Sequence, residues 1–441
     1  MREALRDRWL IVLMAGGLAL RVAFAAWLHP AMRPLADEAG YLAVARIFAE
    51  TGALETGDFV RPPLYFVWLG GLAWLAPTSL ALTAKLLQAV IGTLVAIPVY
   101  RSALRIGGRR AARFAAAFLV FDPTLVAYAH LLWPETLYLA VVAFVFDASA
   151  RLRPDRPSAA IGLGIGVAML LKPVFGLYSL VLAAGWWRRF GTRGALRLAL
   201  LAGVTAAIVV APWAARNVSR YGPAVWMENQ GPYNLWVAND PQDPVETLRE
   251  WKALGDPVTR SRVGMERGLA AIQDDPGRFA ASGVDRIVSL WGLEFFVVRN
   301  VIAGAYGPTS KAGLLATFWA LAVGWVAVFL FAALGLPRVL RDPALRSVFV
   351  YALVMTALVA AMVATTRFRI PFAFALAVAA GVGLEELLRE RRVALRSGVC
   401  AAIAVLVLVV SASRPLFVQI ATGGFERVAE LHTMNRFMFR L

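Results

Sequence analysis

The chain has 441 residues, of which 60% are hydrophobic and 17% charged, with a net charge of +17 at neutral pH. That apolar share exceeds what one soluble core of this length needs, and the lack of period-two alternation excludes a membrane β-barrel. A single cysteine, Cys400, excludes an intrachain disulfide and a cysteine-built zinc site, while arginines confined to short connecting loops speak against nucleic acid and for a polytopic membrane protein.

In chain order, Arg2, Arg6 and Arg8 precede an apolar run that ends at Leu28. It resembles a secretory leader and even carries a cleavage-like Ala23-Phe24-Ala25, but a run of about 18 residues followed by many others reads better as an uncleaved anchor. Next comes a polar stretch over 29–64, holding Asp37-Glu38 and a predicted amphipathic helix that ends near Glu50. Residues 65–75 are short for a crossing and read as a juxtamembrane or re-entrant helix, with 80–100 as the true span.

Arginine-rich connectors recur at 101–113, 151–156, 188–197, 338–346 and 389–396, and the positive-inside rule places them in the cytoplasm with the N-terminus. The turns near 122–135, at Lys172-Pro173 and at 365–369 then fall outside, together with the polar segment 216–310. The resulting expectation is an all-α polytopic bundle of about eleven transmembrane helices, with 12–13 as the rival count should 65–75 also cross. Its parts are a membrane module over 1–215, an outer loop domain over 216–310 with a helix near 258–273, C-terminal membrane helices over 311–413 and an outer tail over 414–441. Trp226, Tyr233, Trp236 and Trp251 in the loop domain read first as interfacial anchors and second as a sugar-stacking surface. Gly162, Gly164 and Gly166 mark close helix packing.

The candidate chemistry lies on the outer turns. Asp37 satisfies an N-cap role, but a second adjacent carboxylate at a bilayer boundary carries an electrostatic cost that capping alone does not require. Asp37 is therefore the candidate general base, with Glu38 as support or substitute, and Tyr41 and Tyr65 flank them as candidate substrate contacts. Arg61, set by Pro62-Pro63, offers a guanidinium fork to a phosphate. His130 and Glu135 bracket Trp133-Pro134 and are candidates to orient a substrate or hold a divalent metal; no other cofactor is indicated and metal use stays open. Lys172, one of four lysines, and the pair Arg367 and Arg369 are cations on the outer side, contrary to the general arginine placement, and so call for an anion. No Walker loop, dinucleotide fingerprint, HExxH helix or GxSxG elbow is present.

Taken in order, Asp37-Glu38, Arg61-Pro62-Pro63-Leu64-Tyr65, Trp133-Pro134-Glu135-Thr136, Lys172-Pro173, Ala211-Pro212-Trp213 through Arg216-Asn217 to Arg220-Tyr221-Gly222, and Arg367-Phe368-Arg369-Ile370-Pro371 resemble the GT-C superfamily of integral-membrane glycosyltransferases. The likeness is to its bacterial branch of protein O-mannosyltransferases and lipid A aminoarabinose transferases. It implies an inverting glycosyltransferase in the bacterial inner membrane with an extracytoplasmic active site. The implied donor is a polyprenyl-phosphate sugar, the acceptor a lipid, glycan or protein, and the base stands at Asp37. Arg61, Lys172, Arg367 and Arg369 would take the donor phosphate. Two departures, Val60-Arg61 where the aminoarabinose transferases have Glu-Lys and Arg367-Phe368 where Arg-Tyr is common, detach the chain from that particular sugar. A transporter or flippase of an anionic lipid-linked substrate is the competing class, and it predicts inverted halves that the sequence does not display.

Overall fold

A computed structural model describes residues 4–28, 34, 37–54, 57, 59–153, 158–389 and 398–412. The expected outer tail 414–441 and most of 29–36 lie outside the described residues. The described chain is all helical, as the sequence implies.

The first half comprises α1 (Arg8–Leu28), α2 (Asp37–Thr51), α3 (Leu64–Leu75), α4 (Leu80–Leu94), α5 (Ala96–Val120), α6 (Pro123–Tyr128), α7 (Glu135–Ala150), α8 (Ala159–Met169) and α9 (Gly176–Tyr221). The loop domain holds α10 (Gln230–Asn239), α11 (Pro244–Ala253), α12 (Pro257–Asp274), α13 (Pro276–Trp291) and α14 (Phe295–Ile302). The chain then returns to the bundle through α15 (Lys311–Val339), α16 (Pro343–Ala361), α17 (Ala373–Arg389) and α18 (Gly398–Ala412). Asp-Pro pairs start α6, α11, α12, α13 and α16: the aspartate accepts free first-turn amides, and the proline has no amide to leave unpaired.

Among the described residues, six helical stretches are long and apolar enough to cross a membrane. Two of them, 41 residues over Leu80–Val120 and 49 over Pro173–Tyr221, exceed the roughly 20 residues of a single crossing. Each is broken where glycine adopts a positive φ, at Gly108 (81°) and Gly191 (69°). Shorter apolar helices among the described residues include α3, α8 and most of α18. α3 has 12 residues, about 18 Å of helix, too short for a crossing and in keeping with a juxtamembrane element.

The bundle is chemically polar end to end. Arginine connectors meet at one end through Arg105–Asp342 at 3.1 Å, Arg110–Glu385 at 3.2 Å and Arg338–Glu386 at 3.1 Å. α7 runs between the two poles: Asp147 near its C-terminus pairs with Arg101 at 3.2 Å and Arg151 at 2.8 Å, while Glu135 at its first residue joins the candidate site.

Gly162, Gly164 and Gly166 do mark close packing. A Cβ at Gly162 would collide with the Ala202 backbone of α9, one at Gly166 with Val209 and the Ala206 carbonyl, and one at Gly164 with Val145 of α7. The expectation of interfacial anchoring is corrected for three loop-domain aromatics. Tyr233, Trp236 and Trp251 are buried, and Phe59 of the first loop stacks on Trp251 with ring centroids 5.6 Å apart; only Trp226, 47% exposed, stays free for an interface. These rings hold the loop domain onto the segment that carries Arg61.

Replacing Gly162 by valine should lower the midpoint of thermal unfolding in detergent, by an overpacking cost of about 1–3 kcal/mol. Gly203→Ala, in the same helix pair but facing open space, should leave it unchanged or slightly raised.

Candidate active site

Four chain segments far apart in sequence meet at the pole opposite the arginine connectors. α2 enters with Asp37 and Glu38 in its first turn, where the helix dipole favours negative charge. Glu38 is buried, and its Oε1 accepts the Leu132 amide at 2.6 Å, which ties α2 to the turn leading into α7. Arg61 is fixed on both sides. The Val60 amide donates to Asn229 Oδ1 at 2.9 Å and the Asn229 amide to the Val60 carbonyl at 3.2 Å, while Leu64 N donates to the Leu170 carbonyl at 3.1 Å and draws in the turn bearing Lys172.

Within this frame Arg61 Nη2 lies 3.2 Å from Asp37 Oδ1, and Arg367 Nη1 lies 3.4 Å from Asp37 Oδ2. Lys172 Nζ sits 2.7 Å from Glu135 Oε1, and Arg367 Nε reaches the same oxygen at 3.7 Å, an ion contact beyond hydrogen-bond length. Arg367 thus bridges the two carboxylates, and its guanidinium is flanked by the rings of Trp133 and Phe296, each 5.7 Å from Cζ. Three cations and two carboxylates thus meet through these four contacts. Asp37 keeps 33% of its side chain exposed, whereas Glu135 keeps 2%. Burial alone would raise the Asp37 pKa, but Arg61 and Arg367 outweigh it and hold the carboxyl below the usual carboxylate range, so it is ionised at neutral pH.

Of the residues singled out from sequence, Asp37, Arg61, Glu135, Lys172 and Arg367 are brought together. Tyr41 joins them, with Arg61 Cζ 5.5 Å from its ring. Four others are placed differently. Glu38 is spent on the Leu132 amide and buried, so it is no substitute for Asp37. The Tyr65 hydroxyl donates to Gln88 Oε1 at 2.9 Å, and Gln88 Nε2 in turn donates to the carbonyls of Ala129 and Leu131 at 3.1 and 2.8 Å, a brace behind the site. His130 Nε2 lies 3.0 Å from the Arg21 carbonyl and does not join Glu135. Among the described residues no group of three or more His, Cys, Asp or Glu side chains is placed to hold a metal.

Arg369 is the clearest correction. Arg367 and Arg369 stand two residues apart in the 3-10 segment Thr366–Phe372, where about three residues make a turn, so their side chains leave in different directions. Arg369 is buried, donates to the Leu290 and Gly292 carbonyls, lies 3.3 Å from Glu294 Oε2 and packs over Trp325. Glu294 also caps α14 and accepts the Thr366 hydroxyl at 2.5 Å. This pair clamps the late turn so that Arg367 faces Asp37. Glu294 and Arg299 escape the sequence reading because it singles out only aromatic residues in the outer loop domain 216–310; the available signal is a charged residue on either side of the apolar Phe295-Phe296-Val297-Val298.

No family model matches this sequence, and no curated protein matches it. Solved structures do share its fold. The oligosaccharyltransferase of Archaeoglobus fulgidus in its apo form superposes with a TM-score of 0.53 at 13% identity, covering 95% of this chain and 56% of that one. AglB from the same organism, solved with an inhibitory peptide and a dolichol-phosphate, gives 0.50 at 12% identity, with 95% and 56% covered. ArnT from Cupriavidus metallidurans bound to undecaprenyl phosphate gives 0.43 at 17% identity, with 87% and 79% covered. The chain therefore spans a little over half the length of the archaeal oligosaccharyltransferases, and it shares their fold.

Removing one partner of the buried Arg369–Glu294 pair leaves an uncompensated charge, so Glu294→Gln should destabilise the protein by about 3–5 kcal/mol. Arg61→Gln, in a partly solvated pair, should cost about 1 kcal/mol or less. Thermal melts of the two purified variants in one detergent give the comparison.

Proposed function

We propose that this protein is an inverting glycosyltransferase that moves a sugar from a polyprenyl-phosphate donor to a hydroxyl of a lipid, glycan or protein acceptor on the outer face of the bacterial cytoplasmic membrane. The observation that carries the reading is Asp37: an ionised, one-third exposed carboxylate bracketed by two guanidiniums at 3.2 and 3.4 Å. A carboxylate in that state accepts a proton, and cations around it accept a departing anion. The shared fold supports the same class of chemistry, since AglB was solved with a dolichol-phosphate.

In the proposed step the acceptor hydroxyl gives its proton to Asp37 while its oxygen attacks the anomeric carbon. The bond from that carbon to the donor phosphate oxygen breaks, the electron pair leaves with the phosphate, and a single in-line displacement inverts the carbon. Arg61, Lys172 and Arg367 neutralise the leaving phosphate, in the manner of cation clamps on other phosphoryl groups. Arg367 also links the two jobs, because a phosphate that draws it away from Asp37 loosens the base for proton transfer. Phosphate esters leave readily as weak bases, so no general acid is required in this scheme.

Asp37→Asn should lower transfer from a synthetic prenyl-phosphate sugar by about 100- to 10,000-fold, with a stability cost of about 1 kcal/mol for the partly solvated pair; near-normal turnover in folded protein would remove Asp37 from the base role. Because the Asp37 pKa is depressed, its charged form exists above the lowered value and is lost only as pH falls through it. The rate should therefore be insensitive to Asp37 through neutral pH and fall only in acid below the ordinary carboxylate range, which a pH–rate profile of kcat/KM checks.

A further inference from the structure

Away from the charged cluster, the loop domain carries a polar cavity of about 130 Å³, far more room than one ordered water needs. One wall is a stripe of α13. Arg278, Ser282 and Arg286 recur every four residues and Phe279 stands three before Ser282, so all four share one face of the helix. Asp240 and Gln242, in the turn after α10, line the other wall.

The hydrogen bonds that join these walls leave much of the lining unspent. Arg286 is a brace: Nη1 donates to the Ala360 carbonyl at 2.8 Å and Nη2 to the Ala238 carbonyl. Arg278, by contrast, uses only Nη2 of its guanidinium, on the Asn239 carbonyl at 2.6 Å. The Ser282 hydroxyl makes no hydrogen bond with any described residue, and Phe279 meets no other aromatic ring among them. Gln242 Nε2 donates to Asp240 and Glu250, which leaves Oε1 as an open acceptor, and Asp240 Oδ1 accepts only the Gln242 amide.

Open donors and open acceptors thus stand side by side around an aromatic ring. A simple anion matches that set poorly, since Asp240 lines the cavity and Asp285 acts on Arg286 from nearby. A sugar matches it well: vicinal hydroxyls both donate and accept, and the C–H face of the ring packs on an aromatic face.

We propose that this cavity is a saccharide subsite for the acceptor, so that the acceptor is a glycan, or carries one, reaching from the cavity to Asp37. This rests on the glycosyltransferase reading above and names its acceptor class. Placement links the cavity to transfer. α10 begins next to Asn229, which fixes Val60 beside Arg61, and ends at the cavity about 15 Å later. On the other side, Asn239 Nδ2 donates at 2.9 Å to the carbonyl of Ala361, the last residue of α16, and the chain from there to Arg367 spans at most about 20 Å. The cavity therefore lies between the two segments that deliver Arg61 and Arg367 to Asp37. Holding one sugar there orients a hydroxyl farther along the same glycan toward the base, a positioning effect on acceptor use.

The test uses the full-length protein in detergent on a printed array of bacterial envelope oligosaccharides and their component monosaccharides. Wild-type protein should bind a subset of the oligosaccharides. Arg278→Gln, which removes the open guanidinium donors, and Ser282→Leu, which fills the cavity without breaking a hydrogen bond, should each weaken the same spots about tenfold. With a bound glycan as acceptor and a synthetic prenyl-phosphate sugar as donor, both variants should raise the acceptor KM about tenfold and keep kcat within about twofold. The subsite is wrong if no glycan binds, if inorganic phosphate or acetate at equal ionic strength displaces the glycan, or if Ser282→Leu binds normally while Arg278→Gln loses binding and melts lower, the pattern of a brace. Transfer to an acceptor without glycan binding at this cavity would sink the subsite and leave the glycosyltransferase reading standing. Glycan binding with no transfer from any prenyl-phosphate sugar would end that reading, and the acceptor role with it.

Discussion

Arg367 is the constraint around which the site is organised. Its guanidinium lies 3.4 Å from Asp37 and 3.7 Å from Glu135, so one cation holds two carboxylates at the end of an otherwise apolar bundle. Charges removed from water this far must be met by opposite charges with suitable geometry, and removing one partner from such a set costs more than the set contributes. The lysine on Glu135 and the second arginine on Asp37 complete that set. An apolar bundle thereby keeps a charged, partly open pole without unfolding it.

The backbone is what delivers these side chains to one place. Val60 and Asn229 exchange hydrogen bonds across the first loop and the loop domain, Leu64 bonds the turn before Lys172, and Glu38 receives the Leu132 amide ahead of Glu135. None of these contacts does chemistry. Each converts a loop position into a fixed one, which is the condition for holding the Asp37 carboxylate and its cations in one geometry. The buried aromatic set of Phe59, Tyr233 and Trp251 serves the same end by seating the loop domain against the Arg61 segment.

Arg367 and Arg369 show how little separates a side chain that faces Asp37 from one that is buried behind it. Both are arginines in the same short turn, yet one faces Asp37 while the other is consumed by Glu294 and two backbone carbonyls. Glu294 in turn caps α14, the helix that presents Phe296 and Arg299. The late turn and the end of the loop domain are therefore one unit, clamped by a buried ion pair, and the aromatic wall beside Arg367 belongs to it.

Much of this was legible from residue order alone. Hydropathy and arginine placement define an all-helical membrane bundle with a polar pole, because a bilayer admits only backbone that bonds to itself and sorts cations by side. The Asp-Pro helix starts, the glycine stripe on α8 and the helix at Pro257–Asp274 follow from local rules of capping and packing that a sequence states directly. Asp37, Arg61, Glu135, Lys172 and Arg367 were also recognisable, since an ionisable residue beside an apolar span needs a reason to be there. What only tertiary structure decided is which of the remaining polar groups face the site. Glu38, Tyr65, His130 and Arg369 carry the same chemistry as their neighbours but turn toward a backbone amide, Gln88, a backbone carbonyl and Glu294 respectively. Side-chain direction depends on where a helix or 3-10 turn begins and on what packs across from it, and both are set by contacts between segments hundreds of residues apart.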